Sequence, residues 1–125
     1  MSLIQILTKN GISEDTAKDF YKYYEALVEW NTRINLTAIT DEDDVAVKHF
    51  LDSLNASRGF VKPGMSVIDV GTGAGFPGLA MLIARPDLDM TLMDSTKKRL
   101  MVIENILEHI GLKANVVHSR AEEGH

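Results

Sequence analysis

Cysteine is absent from the 125 residues of this chain. A disulfide framework and a thiolate metal site are therefore excluded. No apolar run approaches the roughly 20 residues that a membrane-spanning helix requires. The start of the chain also lacks the basic flank and the cleavage site of a signal peptide. Together these absences predict a cytoplasmic protein.

Basic charge is also scarce, because 13 Lys and Arg residues face 18 Asp and Glu residues and leave a net charge of −5. Such a balance argues against a protein that holds nucleic acid mainly by bulk electrostatics, although a local basic patch is compatible with it. The remaining composition, 45% hydrophobic and 25% charged, is that of a soluble globular protein with a modest core.

The hydrophobic pattern changes along the chain from helical spacing to an alternation of short strands and helices. Helices are predicted over residues 2–9, 13–35, 41–59, 76–84 and 96–110, and strands over residues 65–70, 89–93 and 115–118. The first strand reads as buried, Ser95 as the cap of the last helix, and the aromatic stripe Phe20, Tyr21 and Tyr24 as core. This order predicts an α/β protein with a parallel sheet and right-handed crossovers.

Three glycines, Gly71, Gly73 and Gly75, lie between the first predicted strand and the helix that follows it. Glycine permits a tight turn and allows a ligand to lie against bare backbone. The helix would direct N–H groups at the loop and favour a negatively charged ligand group. The loop would lie at the carboxyl end of the sheet, where doubly wound folds bind ligands. A tight turn without a ligand is the structural alternative.

The glycine spacing distinguishes between cofactors. The dinucleotide fingerprint would place its third glycine at position 76, which is Phe76, whereas glycine occurs one place earlier, at Gly75. A P-loop is excluded because no Gly-Lys-Ser/Thr follows. Asp94 closes the second predicted strand, where an acid can accept hydrogen bonds from a ribose. The pattern therefore disfavours a dinucleotide oxidoreductase, whereas Asp94 favours a ligand that contains a ribose.

Five ordered motifs cover most of the chain. They are Trp30-Asn31 with Asn35-Leu36-Thr37, His49-Phe-Leu-Asp-Ser-Leu54, Asp69-Val-Gly-Thr-Gly-Ala-Gly75 with Pro77-Gly78, Asp94-Ser95 with Lys98-Arg99, and Ser119-Arg-Ala-Glu-Glu123. The third resembles the first motif of S-adenosylmethionine-dependent methyltransferases. The whole set resembles one family, the bacterial methyltransferase of guanine N7 in 16S ribosomal RNA, also called glucose-inhibited division protein B.

The resemblance implies a helical cap over residues 1–62 and, over residues 63–125, the first half (β-α-β-α-β) of a Rossmann-like cofactor-binding domain. It also implies methyl transfer to guanine N7 of 16S ribosomal RNA. In the implied S-adenosylmethionine site, the loop backbone would lie against the methionine part of the cofactor, at Gly71, Gly73, Gly75 and Phe76. Asp69 would orient the ammonium group, and Asp94 would bind the ribose hydroxyls. Ala121 and Glu122 would lie beside the adenine.

Two further pairs are implied for the RNA side. His49 and Asp52 share a helix face and would position RNA or close the pocket, unless they form a structural hydrogen bond between cap and sheet. Lys98 and Arg99 would contact phosphate at the pocket rim, unless they are only solvated. Neither a catalytic base nor a metal is implied, because guanine N7 carries a free lone pair at neutral pH.

Family members are longer and have a larger sheet, so the chain is expected to be a fragment that ends after the third strand. The sheet order would be 3-2-1, with the first strand as an open apolar edge able to pair with a second copy. The implied partner is 16S ribosomal RNA or the small ribosomal subunit. The alternatives are a methyltransferase with another acceptor and a non-catalytic remnant that binds a cofactor or a partner.

Overall fold

The computed structural model describes residues 2–34, 45–58, 62–73, 75 and 77–119. The helical part consists of α1 (Leu3–Lys9), α2 (Glu14–Asn31), a π-helical segment (Val45–Leu51) and α3 (Asp52–Ser57), which continues it. The part that follows consists of β1 (Ser66–Val70), α4 (Gly78–Ala84), β2 (Asp89–Asp94), α5 (Lys97–Ile110) and β3 (Asn115–His118). This order confirms the predicted α/β architecture. Every helix in these ranges is too short or too polar to cross a membrane.

The starts of the first two helices follow from capping side chains. The Ser2 hydroxyl accepts from the Gln5 N–H, and the Gln5 side chain accepts from the Ser2 N–H, which makes a capping box. Ser13 caps α2 by accepting from the Thr16 N–H, as the sequence predicts. These bonds satisfy amide groups that have no partner inside the helix.

The last helix begins differently from the prediction. Ser95 is not its cap: Thr96 is the N-cap residue, its side chain makes no capping bond, and the helix starts at Lys97. The Thr96 N–H itself donates to Asp94 Oδ1 at 2.9 Å, which fixes the residue before the helix to the end of β2. The helix ends at Ile110, and the next residue, Gly111, caps it with a φ of +86°, the left-handed conformation that glycine adopts readily.

The described strands form one parallel sheet in the order β1-β2-β3, which is the predicted 3-2-1 arrangement. In its register Asp69 lies beside Leu92, and Leu92 lies beside Val116. Both crossover helices contact β2 and share one buried cluster with Leu92, so they cover the face of the sheet that carries this residue. The sheet therefore brings the carboxyl ends of β1 and β2 together at one edge.

The helical part packs on the crossover helices. α2 contacts α4 and α5, and α3 contacts α4. Within this layer the ring centroids of Phe20 and Phe50 are 4.8 Å apart, and those of Tyr23 and Phe50 are 5.4 Å apart. A single cluster of buried side chains joins these helices to Leu92 and its neighbours in the sheet. The division at residues 62 and 63 into two domains stays a prediction.

The prediction that β1 is buried is wrong for the described structure. Ile68 is 64% exposed and Val70 is 56% exposed, whereas Val67 and Asp69 are half-buried. The reason is that β1 pairs with β2 alone among the described strands, and α4 and α5 cover one face. The strand does have the open apolar edge that the sequence predicts. Pairing of two copies along that edge stays a prediction.

The turn between α4 and β2 contains Asp87, whose hydrogen bonds lower the pKa of its carboxyl group. The Asp87 carboxylate accepts from Arg85 Nε at 3.0 Å, from Arg85 Nη2 at 2.9 Å and from the Gly64 N–H at 2.9 Å. These bonds, with Arg85 contributing most, lower the pKa of Asp87 from 3.8 to about 2. Because the folded-state pKa is depressed, this group stabilises the fold above its unfolded pKa, and the stabilisation is lost as pH falls through about 2.

We therefore expect a carboxyl NMR titration to give Asp87 a pKa of about 2. Arg85→Gln should return that pKa toward 3.8, because it removes the largest cause of the shift. The matched control is Arg33→Gln, which breaks the comparable exposed pair with Glu29 on α2 and should leave Asp87 unchanged. A titration near 3.8 in the unaltered protein would contradict the described turn.

Candidate functional site

The glycine loop begins as an extension of the sheet. The N–H groups of Gly71 and Thr72 both donate to the carbonyl oxygen of Met93, at 2.8 and 3.0 Å. The Gly75 N–H then donates to the Thr72 carbonyl oxygen at 2.8 Å, which closes a tight turn. The loop is therefore anchored to the last residues of β2 before the chain turns into α4.

Asp69, near the end of β1, ties the loop to the start of α4. Its Oδ2 atom accepts from the Thr72 hydroxyl at 2.7 Å and from the Gly78 N–H at 2.9 Å. Gly78 is the first residue of α4, so this helix directs its first amide at a protein carboxylate. The Leu79 N–H is taken as well, by the Gly75 carbonyl oxygen at 2.7 Å. These two amides thus serve the loop's own architecture, contrary to the expectation that they face a ligand.

The protonation of Asp69 reflects this position. Burial raises its pKa from 3.8, the two hydrogen bonds from Thr72 and Gly78 lower it, and the nearby charge of Asp94 raises it again. The net direction is upward, so ionisation of Asp69 opposes folding. The protonated carboxyl group of Asp69 therefore stabilises the fold relative to the ionised one. This stabilisation is fully present below the unfolded pKa and is lost as pH rises through the higher folded pKa. Two acids that repel each other at one loop favour a ligand with positive charge nearby.

Asp94 holds the loop from the other side. Its side chain is 3% exposed. The Gly73 N–H donates to Oδ2 at 2.8 Å and the Thr96 N–H donates to Oδ1 at 2.9 Å. Arg99 Nη1 lies 3.9 Å from Oδ1, at the outer limit of an ion pair. A carboxylate has about four acceptor positions, so Asp94 retains acceptor capacity for hydroxyl groups of a ligand.

The glycines of the motif divide into two pairs. Gly71 and Gly73 have φ values of +73° and +56°, and a Cβ built on either meets no described heavy atom within 4 Å. A Cβ on Gly75 would lie 2.5 Å from the Tyr23 hydroxyl, and one on Gly78 would lie 2.6 Å from Leu92 Cδ2. The first pair therefore leaves open backbone for a ligand, whereas the second pair is required by the protein's own packing.

The structure brings together five of the residues predicted for the cofactor. Asp69, Asp94 and the three glycines Gly71, Gly73 and Gly75 are joined by the hydrogen bonds given above. The other three, Phe76, Ala121 and Glu122, lie outside the described residues. Their assignment to the methionine part and the adenine therefore stays a prediction.

Lys98 and Arg99 lie in the first turn of α5, directly after the Asp94 carboxylate. Both are exposed, and Arg99 is the one whose guanidinium approaches Asp94. The first turn of a helix disfavours cations because of the helix dipole, and Asp94 offsets that cost for Arg99. Arg99 thus lies beside the carboxylate that holds the loop, and the contact of Lys98 and Arg99 with phosphate stays a prediction.

His49 and Asp52 lie where the π-helical segment passes into α3. Burial lowers the pKa of the half-buried His49, the charge of the exposed Asp52 raises it, and the charge of Lys48 lowers it, with a net downward direction. The charge of Asp52 therefore acts on His49. The roles predicted for this pair, namely positioning RNA, closing the pocket or forming a structural hydrogen bond, stay predictions. Because α3 packs on α4, the pair belongs to the layer beside the helix that follows the loop.

Comparison with known proteins identifies the family of the chain. Residues 16–125 match the family model described as rRNA small subunit methyltransferase G. The chain belongs to this family. Membership confirms the resemblance seen in the motifs and, with the parallel sheet, the Rossmann-like α/β class.

Individual relatives agree with the family model, and each carries the name ribosomal RNA small subunit methyltransferase G. The protein of Thermoanaerobacter sp. (strain X514) is 48% identical over 106 residues, which cover 83% of this chain and 44% of that protein. The protein of Clostridium perfringens (strain 13 / Type A) is 46% identical over 114 residues, 90% of this chain and 48% of that protein. The chain therefore spans about half the length of these curated relatives.

Sequence reasoning missed two residues at the site. Thr72, 2% exposed, donates its hydroxyl to Asp69, and its position between two motif glycines was available as a signal. Tyr23 is fully buried and reaches Gly75, although the predicted core stripe contained Tyr21 and Tyr24. The spacing of Phe20, Tyr23 and Leu27 on one helical face would have identified it.

Proposed function

We propose that the protein carrying this chain is an S-adenosylmethionine-dependent methyltransferase that modifies N7 of a guanine in 16S ribosomal RNA. The observation that carries this proposal is the convergence of Asp69 and Asp94 on an outward-open glycine loop, in a chain of the rRNA small subunit methyltransferase G family. The ribosomal RNA or small subunit is the proposed partner, and the cytoplasm is the proposed location.

The residues at the loop fit S-adenosylmethionine. Asp94 has acceptor capacity for the two ribose hydroxyls, and the open backbone at Gly71 and Gly73 leaves space for the methionine part. Asp69 places a carboxylate close to where an ammonium group would lie, and Phe76, Ala121 and Glu122 would complete the pocket. When bound, this cofactor supplies an electrophilic methyl group on a positively charged sulfur, and two nearby carboxylates suit that charge.

The chain's own residues have a positioning task in this reaction. Guanine N7 has a lone pair available at neutral pH, so no side chain has to remove a proton from it. The chain therefore contributes a preorganised loop that fixes one reactant, and placement of the two reactants supplies the rate enhancement. Lys98 and Arg99 beside the loop, and His49 with Asp52 in the neighbouring layer, are the proposed contacts to the RNA.

The test uses the full-length protein with S-adenosylmethionine carrying a labelled methyl group. We expect binding by calorimetry and label at guanine N7 of 16S ribosomal RNA, located by mass spectrometry. Naked RNA and assembled small subunits are compared as substrates, and a small-molecule acceptor serves as the control. Label on another acceptor would replace the RNA proposal. Cofactor binding without any transfer would favour the non-catalytic alternative, and tight NADH binding would contradict the cofactor assignment.

A further inference from the structure

Tyr23 connects the helical part to the glycine loop. It lies on α2, its side chain is fully buried, and its ring stacks on Phe50 with an interplanar angle of 21°. The far end of this ring reaches Gly75, because a Cβ built there would lie 2.5 Å from the Tyr23 hydroxyl oxygen. A side chain from α2 thus crosses the helical layer and ends behind the loop.

The hydroxyl is a neutral donor in the field of a site carboxylate. Burial raises the pKa of Tyr23 well above 10.0, and the negative charge of Asp69 raises it further. The hydroxyl therefore keeps its proton throughout the physiological range. The hydroxyl lies in contact with the backbone at Gly75, so replacing Tyr23 by phenylalanine would leave an unfilled space directly behind the loop.

The loop is held from two sides at different residues. On the outer side Asp94 accepts from Gly73, whereas on the inner side Gly75 is enclosed by the Tyr23 hydroxyl and by Leu79. Gly75 in turn bonds back to Thr72, the residue between the two open glycines. A displacement of Gly75 would therefore also move Thr72, and with it the backbone of Gly71 and Gly73, where the cofactor is proposed to bind.

We propose that Tyr23 is a positioning residue: its hydroxyl holds the loop from behind at Gly75 and so maintains the shape of Gly71 and Gly73 that a cofactor needs. Its effect on loop order stands on the structure alone. Its effect on S-adenosylmethionine binding rests on the proposed function. Because the Tyr23 ring stacks on Phe50 in the π-helical segment, the same contact couples the loop to the element that carries His49.

The test compares Tyr23→Phe with Tyr21→Phe in the full-length protein. Both remove one hydroxyl from α2, but Tyr21 is only half-buried, and its ring lies tilted against Tyr24. Amide hydrogen exchange followed by NMR without ligand should be about tenfold faster at Gly73, Gly75 and Gly78 in Tyr23→Phe. Exchange in β2 and α5 should be unchanged, and Tyr21→Phe should match the unaltered protein throughout.

Calorimetry with S-adenosylmethionine provides the second readout, with an expected loss of affinity of about tenfold for Tyr23→Phe. Unchanged loop exchange, or exchange that accelerates equally across the whole core, would overturn the proposal. Faster loop exchange with unaltered affinity would overturn the link to the cofactor. If the unaltered protein does not bind S-adenosylmethionine, the proposed function fails, and the exchange data still decide whether Tyr23 orders the loop.

Discussion

Asp94→Ala is expected to lower the affinity for S-adenosylmethionine by about 100-fold or more. The substitution removes the acceptor of the Gly73 N–H and of the Thr96 N–H, both at 2.9 Å or less. Hydrogen bonds to a charged group contribute about 1.5–3 kcal/mol each, and 100-fold in affinity corresponds to about 2.7 kcal/mol. The loop would lose its outer attachment at the same time as the ligand loses its proposed ribose acceptor.

The matched control is Asp89→Ala, at the opposite end of β2. Asp89 is exposed and accepts from the Ser66 hydroxyl and the Asn115 amide, far from the loop. Calorimetry on both variants, with circular dichroism to establish folding, separates a local effect from a general one. Asp94→Asn should lie between the two, since one oxygen remains as an acceptor but the charge is lost. If folded Asp94→Ala binds as tightly as Asp89→Ala, Asp94 has no part in the site.

Much of this site could be predicted from the sequence because its parts are consecutive. The periodicity change near residue 63 identifies the strands, the alternating glycines identify the turn, and strand ends identify Asp69 and Asp94. In a parallel sheet, adjacent carboxyl ends must meet, so the convergence of the two acids follows from topology. Sequence order alone was sufficient for these features.

Other features depend on contacts between distant residues. The exposure of Ile68 cannot be deduced from an apolar run, since burial is decided by which elements lie against the strand. The predicted Ser95 cap was wrong because the helix starts one residue later than expected, at Lys97, with Thr96 as its N-cap residue. The bond from the Thr96 N–H to Asp94 Oδ1 depends on the folded position of β2, which local propensity does not indicate. The π-helical segment from Val45 to Leu51 is likewise outside what a 3.6-residue period can indicate.

The roles of the individual glycines are the clearest case. Their spacing suggests one purpose for all of them, namely close approach of a ligand. In the structure, Gly75 is required by Tyr23 and Leu79, and Gly78 is required by Leu92 and Asp69. Side chains from α2, α4, β1 and β2 make this division, and their contacts are visible only in the folded structure. Replacing glycine by alanine is therefore expected to affect stability and ligand binding differently at Gly78 and at Gly71.

Gly78→Ala is expected to reduce the free energy of unfolding by about 3 kcal/mol or more. Its Cβ would lie 2.6 Å from Leu92 Cδ2 and 2.7 Å from Asp69 Oδ2. Leu92 is fully buried, so it has little room to move. Overpacking typically costs about 1–3 kcal/mol, and displacing Asp69 would also weaken its charge-assisted bond to the Gly78 N–H. The better helix propensity of alanine recovers only about 1 kcal/mol, so the clash decides the sign.

Gly71→Ala provides the contrast. Its φ of +73° costs an alanine about 1 kcal/mol, but its Cβ meets no described atom within 4 Å. We therefore expect a small shift of the urea midpoint for Gly71→Ala and a large one for Gly78→Ala. Calorimetry should show weaker S-adenosylmethionine binding for Gly71→Ala, because its methyl group occupies the open side of the loop. Equal stability of the two variants would mean that Gly78 is not packed against Leu92, and undiminished binding by Gly71→Ala would place the ligand elsewhere.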